Sequence, residues 1–285
     1  MLIILELIKA IILGVVEGFT EFLPVSSTGH LILVNQFISF DKEFTLMFDI
    51  VIQLGAILAV VVFFWKRLWP SFTKDKNPDG IAVEDPRCQP RWHRDKKTLN
   101  IWYKTIIGVL PSIILGGLFG GIIEKNLFNP WVVAIALLIG GAIILIVERK
   151  KPQNKITSIA DLSFKTAFFI GLIQCLSMIP GTSRSAVTII GAIILGASRL
   201  VATEFSFFLA IPTMIAASAY SLLKYGRLIN AQQFFVLAIG FAVSFIVALA
   251  VIKFLIGFVQ KNNFKIFGWY RIILALIIII YFLAI

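Results

Sequence analysis

The stretch EFLPVSSTGHL, residues 21–31, separates two strongly apolar runs. A proline, which cannot continue helical hydrogen bonding, is followed by valine, three hydroxyl side chains, glycine and histidine. Glu17 and Glu21 stand just upstream, where a membrane span would carry apolar side chains. So much polar chemistry between greasy segments is either a surface loop or the working part of a membrane protein.

Composition decides the setting. The chain has 285 residues, 59% hydrophobic and 14% charged, with a mean hydropathy of +0.95; soluble domains carry about 25% charged residues. Apolar runs of about 20 residues, the length of a helix crossing the hydrocarbon, recur along the chain. The fold class is therefore an all-α polytopic membrane protein. The first run contains Glu6, Lys9, Glu17 and Glu21 and no small-residue cleavage site, so it does not read as a secretory signal. Cys88 and Cys175 fall in a polar loop and an apolar segment and imply no disulfide framework. A net charge of +11 can signal nucleic acid, but the bases cluster between spans, the pattern of positive-inside topology.

Six segments are long enough to be transmembrane helices: about 44–66, 99–123, 128–148, 200–223, 231–259 and 265–285. The polar segment 67–98, with its prolines and mixed charges, reads as a solvated cytoplasmic loop, and His93 as a surface residue within it. Two further apolar stretches are broken. One runs from 10 to 23, stops at Pro24 and resumes over 29–40; the other runs from 161 to 179, breaks at Pro180 and resumes over 185–196. A run of about 12 residues spans roughly 18 Å as a helix, little more than half of the hydrocarbon. Both fit re-entrant helix pairs, whose irregular backbone is tolerated at depth only inside protein or against a water-filled cavity.

Counting bases orients the chain. Arg67, Lys74, Lys76, Arg87, Arg91, Arg94, Lys96, Lys97, Arg149, Lys150, Lys151, Lys155, Lys261 and Lys265 share one side, which should be cytoplasmic. Lys42, Lys125, Lys224 and Arg227 lie opposite, and Arg271 is placed in the connection between the last two spans. The two re-entrant pairs then dip in from opposite sides, as in an inverted-topology repeat. Writing FLPVSSTG (22–29) over MIPGTSRS (178–185) pairs Pro24 with Pro180 and Ser27 with Ser183. Gly14 and Gly171 match one step out of register, and Asp49 and Glu204 match within one position. Repeat one is expected over about 1–123 and repeat two over about 128–260, with a final helix at 265–285. Inverted repeats place their site at the repeat interface.

Glu17 and Glu21 are i and i+4, stacked on one helix face. Two carboxylates there suit a cation or a proton, Mg2+ or Ca2+ among cations; interfacial carboxylates held by neighbouring helices are the plain alternative. The SSTG and GTSRS turns each precede a short helix, so Ser26, Ser27, Thr28, Gly181, Thr182, Ser183, Ser185 and Thr188 offer helix caps or a nest for phosphate. Arg184 matches phosphate oxygens with its fork, unless it pairs permanently with Glu17 or Glu21. His30 beside Ser27 is a candidate base or nucleophile. No GxxxxGK[ST] loop supports nucleotide hydrolysis, and no zinc spacing is present.

These residues resemble one family over essentially the full chain: the bacterial undecaprenyl pyrophosphate phosphatases, known for bacitracin resistance. EGFTE (17–21) with LPVSSTGH (23–30), and PGTSRSAVT (180–188), carry the resemblance; the 70–98 loop looks long for the family. The resemblance implies hydrolysis of the terminal phosphate of undecaprenyl pyrophosphate, a divalent cation (Mg2+ or Ca2+), and a site opening to the outer face of the bacterial inner membrane. Glu17, Glu21, Ser27, His30 and Arg184 are then the expected catalytic residues, with Glu17 and Glu21 as metal ligands. Partners would be the polyprenyl pyrophosphate, membrane lipids and, as a candidate, a second copy in a homodimer; nucleic acid is not expected. A transporter or flippase for a polyprenyl phosphate is the alternative, since broken helices and inverted repeats also build transporters.

Overall fold

The computed structural model describes residues 2–69, 72–73, 93–94, 96–150, 154–225 and 229–284. It is helical, and six of its helices are long and apolar enough to cross a membrane. They are α3 (Lys42–Phe63), α5 (Lys96–Leu127), α6 (Pro130–Arg149), α9 (Arg199–Tyr225), α10 (Ala231–Lys261) and α11 (Lys265–Ala284), with α4 (Trp65–Leu68) a single turn after α3. All six expected spans are present. Local chemistry sets several starts. Asn129 accepts the Val132 amide ahead of Pro130 in α6, and Asn230 and Gln233 form a reciprocal capping box at α10.

Each of the two broken stretches folds as helices on either side of a break, with limits shifted from the sequence reading. The first is α1 (Leu2–Thr20) and α2 (Ser27–Val34); the second is α7 (Phe164–Gln174), a 3-10 turn (Cys175–Met178) and α8 (Arg184–Ile194). Thus α1 starts at Leu2 rather than near residue 10, and α2 ends at Val34, well short of residue 40. The 67–98 segment is not wholly irregular either, since Phe72–Thr73 pairs antiparallel with His93–Arg94. Its remaining bases Lys74, Lys76, Arg87 and Arg91, together with Cys88, lie outside the described residues, as do Lys151 and Arg227.

Packing brings the broken helices onto partners distant in sequence. α1 lies on α10, α7 lies on α5, and α3 packs against both α9 and α10, while α11 pairs with α6. Glycine permits close crossings on both broken stretches. A methyl group at Gly14 would stand 2.7 Å from the Gly240 carbonyl oxygen, and one at Gly171 would overlap the Gly108 carbonyl. The interior is aromatic around the breaks. Phe22, fully buried, meets Phe207 edge to face at 5.0 Å, and Phe205 and Phe208 are buried beside it. Ile139, Ile143, Ile146, Ile273, Ile277 and Ile280 are exposed on the pair α6 and α11, an apolar surface of the kind that lipid covers.

The crossing of α7 with α5 yields a test. Gly171→Ala should destabilise the detergent-solubilised protein by about 1–3 kcal/mol, the usual cost of overpacking. Gly117→Ala, with nothing within 4 Å of the added methyl, should cause no loss. Thermal unfolding of the two variants side by side decides it, and equal melting temperatures would count against the tight crossing.

Candidate active site

Each break ends in a serine that caps the next helix. Ser26 Oγ accepts the Gly29 amide at 3.2 Å and Ser183 Oγ accepts the Ala186 amide at 3.3 Å. Their φ angles are 73° and 67°, and they are the non-glycine residues with positive φ among the described ones. Backbone held there is strained by about 1–3 kcal/mol and persists only when its surroundings over-determine it. Before Ser183, Gly181 has φ 91°, and a methyl on it would lie 2.6 Å from the Val133 carbonyl oxygen, so only glycine fits. The Thr182 hydroxyl closes the same turn by donating to the Ile179 carbonyl at 2.7 Å.

The two turns meet. Ser185 Oγ donates to the Leu23 carbonyl at 2.9 Å. Arg184 Nη1 donates to the Ser206 carbonyl at 2.9 Å, and its Nη2 lies 3.4 Å from Glu21 Oε1. Glu21 Oε2 in turn accepts the Ser27 hydroxyl at 2.6 Å. A hydroxyl, a carboxylate and a guanidinium therefore stand in one chain of contacts, where α2 and α8 begin. Such helix starts present free amide groups and positive dipole ends to an anion.

His30 stands beside the first turn, as the sequence suggests, but directs its ring nitrogens elsewhere than Ser27. Its Nδ1 is 2.7 Å from the Ser26 carbonyl and its Nε2 is 2.6 Å from the Tyr270 hydroxyl. A carbonyl only accepts, so Nδ1 carries the proton and Tyr270 donates to Nε2. Both ring nitrogens are engaged away from Ser27. The hydroxyl of Thr188 is likewise occupied, donating to the Arg184 carbonyl at 2.8 Å and meeting Ser206 Oγ at 2.5 Å. Much of the hydroxyl set around the turns holds backbone in place, whereas the Ser27 hydroxyl points to a carboxylate, Glu21, that also meets Arg184.

Glu17 is fully buried, and neither of its carboxylate oxygens has a hydrogen-bond partner among the described residues. Orphaned buried oxygens of this kind suit a hard cation. Among the described residues no cluster of three or more His, Cys, Asp or Glu is placed to hold one. Glu17 and Glu21 therefore fit a cation that takes its remaining ligands from phosphate and water, the usual manner of Mg2+.

Two expectations are corrected. The cap geometry pairs Ser26 with Ser183, and hence Pro24 with Gly181, one step from the Pro24–Pro180 and Ser27–Ser183 alignment; in this register Gly14 and Gly171 match directly. Arg271 is not in the connection between the last spans but inside α11, fully buried, donating to the carbonyls of Pro24, Ala136 and Gly181. The signal was legible, since a lone base within the apolar run 266–285 is an intramembrane charge and marks function by default. Ser206 and Tyr270 carried no such signal.

A multi-pass helical membrane protein with buried carboxylates and an arginine gathered between two broken helices is the class that this fold and site define. The chain belongs to the bacitracin resistance protein BacA family, whose model matches residues 10–277. It is 47% identical over 283 residues to an undecaprenyl-diphosphatase of Lachnoclostridium phytofermentans, covering 98% of each chain. It is also 46% identical over 280 residues to an undecaprenyl-diphosphatase of Enterococcus faecalis, covering 97% of each. An undecaprenyl-diphosphatase 1 of Clostridioides difficile is 47% identical over 281 residues, covering 98% of this chain and 97% of that one.

The strained caps make a prediction about stability. Ser183→Gly loses the cap but relaxes the positive φ, so it should match wild type or exceed it. Ser183→Ala loses the cap and keeps the strain, and should cost about 1 kcal/mol. Thermal unfolding in detergent reads the order, and an alanine variant as stable as the glycine one would remove the strain from the account.

Proposed function

We propose that this protein hydrolyses undecaprenyl pyrophosphate to undecaprenyl phosphate and inorganic phosphate, a phosphatase reaction on a lipid carrier of cell-wall synthesis. Near-full-length similarity to undecaprenyl-diphosphatases supports the substrate. The observation that carries the chemistry is the 2.6 Å hydrogen bond from Ser27 to Glu21 beside Arg184. It favours Ser27 as nucleophile and Glu21 as its base, with His30 holding the turn through the Ser26 carbonyl.

In this reading Ser27 Oγ attacks the terminal phosphorus while its proton passes to Glu21 Oε2 along the existing hydrogen bond. The bond from phosphorus to the bridging oxygen breaks with its electron pair, and undecaprenyl phosphate leaves as Glu21 returns the proton to it or to water. Glu21 then takes a proton from a water that attacks the phosphoserine. It passes that proton to Ser27 Oγ as the phosphorus–oxygen bond breaks, releasing inorganic phosphate. Arg184 and the amides opening α2 and α8 stabilise charge on the transferred group. A divalent cation held by Glu17 and Glu21 would add neutralisation of the phosphate charge.

The same site supports the finer architecture. With Ser26 paired to Ser183, Ser27 and Arg184 occupy one position, the first residue after the cap. The packing partners also exchange, α1 against α10 and α7 against α5. Both features favour two re-entrant pairs in an inverted repeat, with the site at its interface. The distribution of bases favours the bacterial inner membrane with the site opening outward.

Detergent-purified protein should release free phosphate from a polyprenyl pyrophosphate with no membrane gradient, which a transporter or flippase would not do. Acid quenching during turnover should leave label from the terminal phosphate on wild type and none on Ser27→Ala. Label retained by the alanine variant would move the nucleophile elsewhere. Arg184→Lys keeps the charge but loses the fork, and should lower kcat roughly a hundredfold; a rate within a few-fold of wild type would assign Arg184 to structure alone.

A further inference from the structure

Arg271 is the buried charge that the catalytic proposal leaves unused. Its Nη2 donates to the Gly181 carbonyl at 3.0 Å and to the Ala136 carbonyl at 3.2 Å, and its Nη1 reaches the Pro24 carbonyl at 3.4 Å. Every hydrogen-bond partner is thus a carbonyl oxygen, and Nε has none among the described residues. Burying an arginine without a carboxylate is costly, so the arrangement calls for a reason beyond packing.

The acceptors supply one. Pro24 and Gly181 each stand two residues before a strained capping serine, Ser26 or Ser183. One planar guanidinium therefore grips the same backbone position on both turns, from a third helix that belongs to neither. Helix α6 makes the room. A methyl group at Gly140 would overlap Nη2, and one at Gly141 would lie 2.8 Å from the Gly268 carbonyl oxygen of α11.

We propose that Arg271 is a positioning residue: it clamps the Pro24 and Gly181 carbonyls together so that Ser27 and Arg184 face a single phosphoryl group. Among the described residues its positive charge has no ionic partner, so it also contributes a positive field where the pyrophosphate of the proposed substrate would come to rest. A lysine would keep the charge but not the fixed fork that spans three acceptors. The effect on rate rests on the phosphatase reading, whereas the effect on the backbone does not.

The test uses two variants and two readouts on the full-length protein in detergent. Arg271→Lys retains charge and alters geometry, and Gly140→Ala retains the arginine and displaces its tip. Phosphate release from a polyprenyl pyrophosphate should show kcat lowered roughly tenfold to a hundredfold in both, with KM within about threefold, as expected for misplacement of reacting groups by about 1 Å. Hydrogen exchange should quicken by roughly tenfold at the Gly29 and Ala186 amides that the two caps bind, at unchanged rates in α10. Wild-type exchange at both amides overturns the clamp whatever the activity. A rise in KM with kcat preserved also overturns it, making Arg271 a substrate ligand instead. Wild-type protein that releases no phosphate removes the phosphatase reading, and exchange alone then decides the clamp.

Discussion

The rest of the structure depends on one constraint: two breaks in helical backbone must be satisfied by protein, because the surrounding apolar helices offer little water. A buried amide or carbonyl left without a partner costs several kcal/mol. Here serine hydroxyls cap the new helices, Ser185 binds the Leu23 carbonyl, Thr182 closes its own turn, and Arg271 takes the carbonyls of Pro24 and Gly181. The polar residues that look extravagant in the sequence are, in large part, this repair. Only a few are left over to meet a phosphate.

That division explains which parts of the molecule could be read beforehand. Spans are written in long apolar runs, and all six are present because length and hydropathy alone decide whether a helix can cross. The ends of the broken helices were less legible. α2 stops at Val34 although the apolar run continues, and the start of α1 was hidden by Glu6 and Lys9, which disguise its first two turns as interfacial.

Site residues divide along similar lines. Glu17, Glu21, Ser27 and Arg184 were recognisable because charge and hydroxyl at membrane depth demand an explanation. Their partners were not: a hydrogen bond from Ser27 to Glu21, rather than to the adjacent His30, follows from the turn at Pro24 and no spacing rule gives it. Arg271 was misplaced because it follows Lys265 closely and looks like the end of a basic connection, although α11 already begins at Lys265. The register of the two halves erred for a related reason. Proline is the conspicuous letter in both turns, yet the physical equivalence lies in the serines with positive φ.

Corrected in this way, the register changes what the two halves mean for the chemistry. Equivalent positions after the two caps carry Ser27 in one half and Arg184 in the other. In the same register Glu17 corresponds to Gln174, a buried amide of matching length. The first turn thus brings a hydroxyl and two carboxylates, and the second brings a guanidinium and a neutral amide. Neither half alone could both attack a phosphoryl group and neutralise the charge that develops on it, and two acidic halves facing each other would repel the substrate. On the proposed reaction, two similar turns with complementary side chains would place opposite charges around a single phosphorus. The clamp proposed for Arg271 of α11, which belongs to neither turn, is what such a divided site would require, because a shift of about 1 Å between the turns would separate the Ser27 hydroxyl from the Arg184 guanidinium on the far side of a bound phosphoryl group.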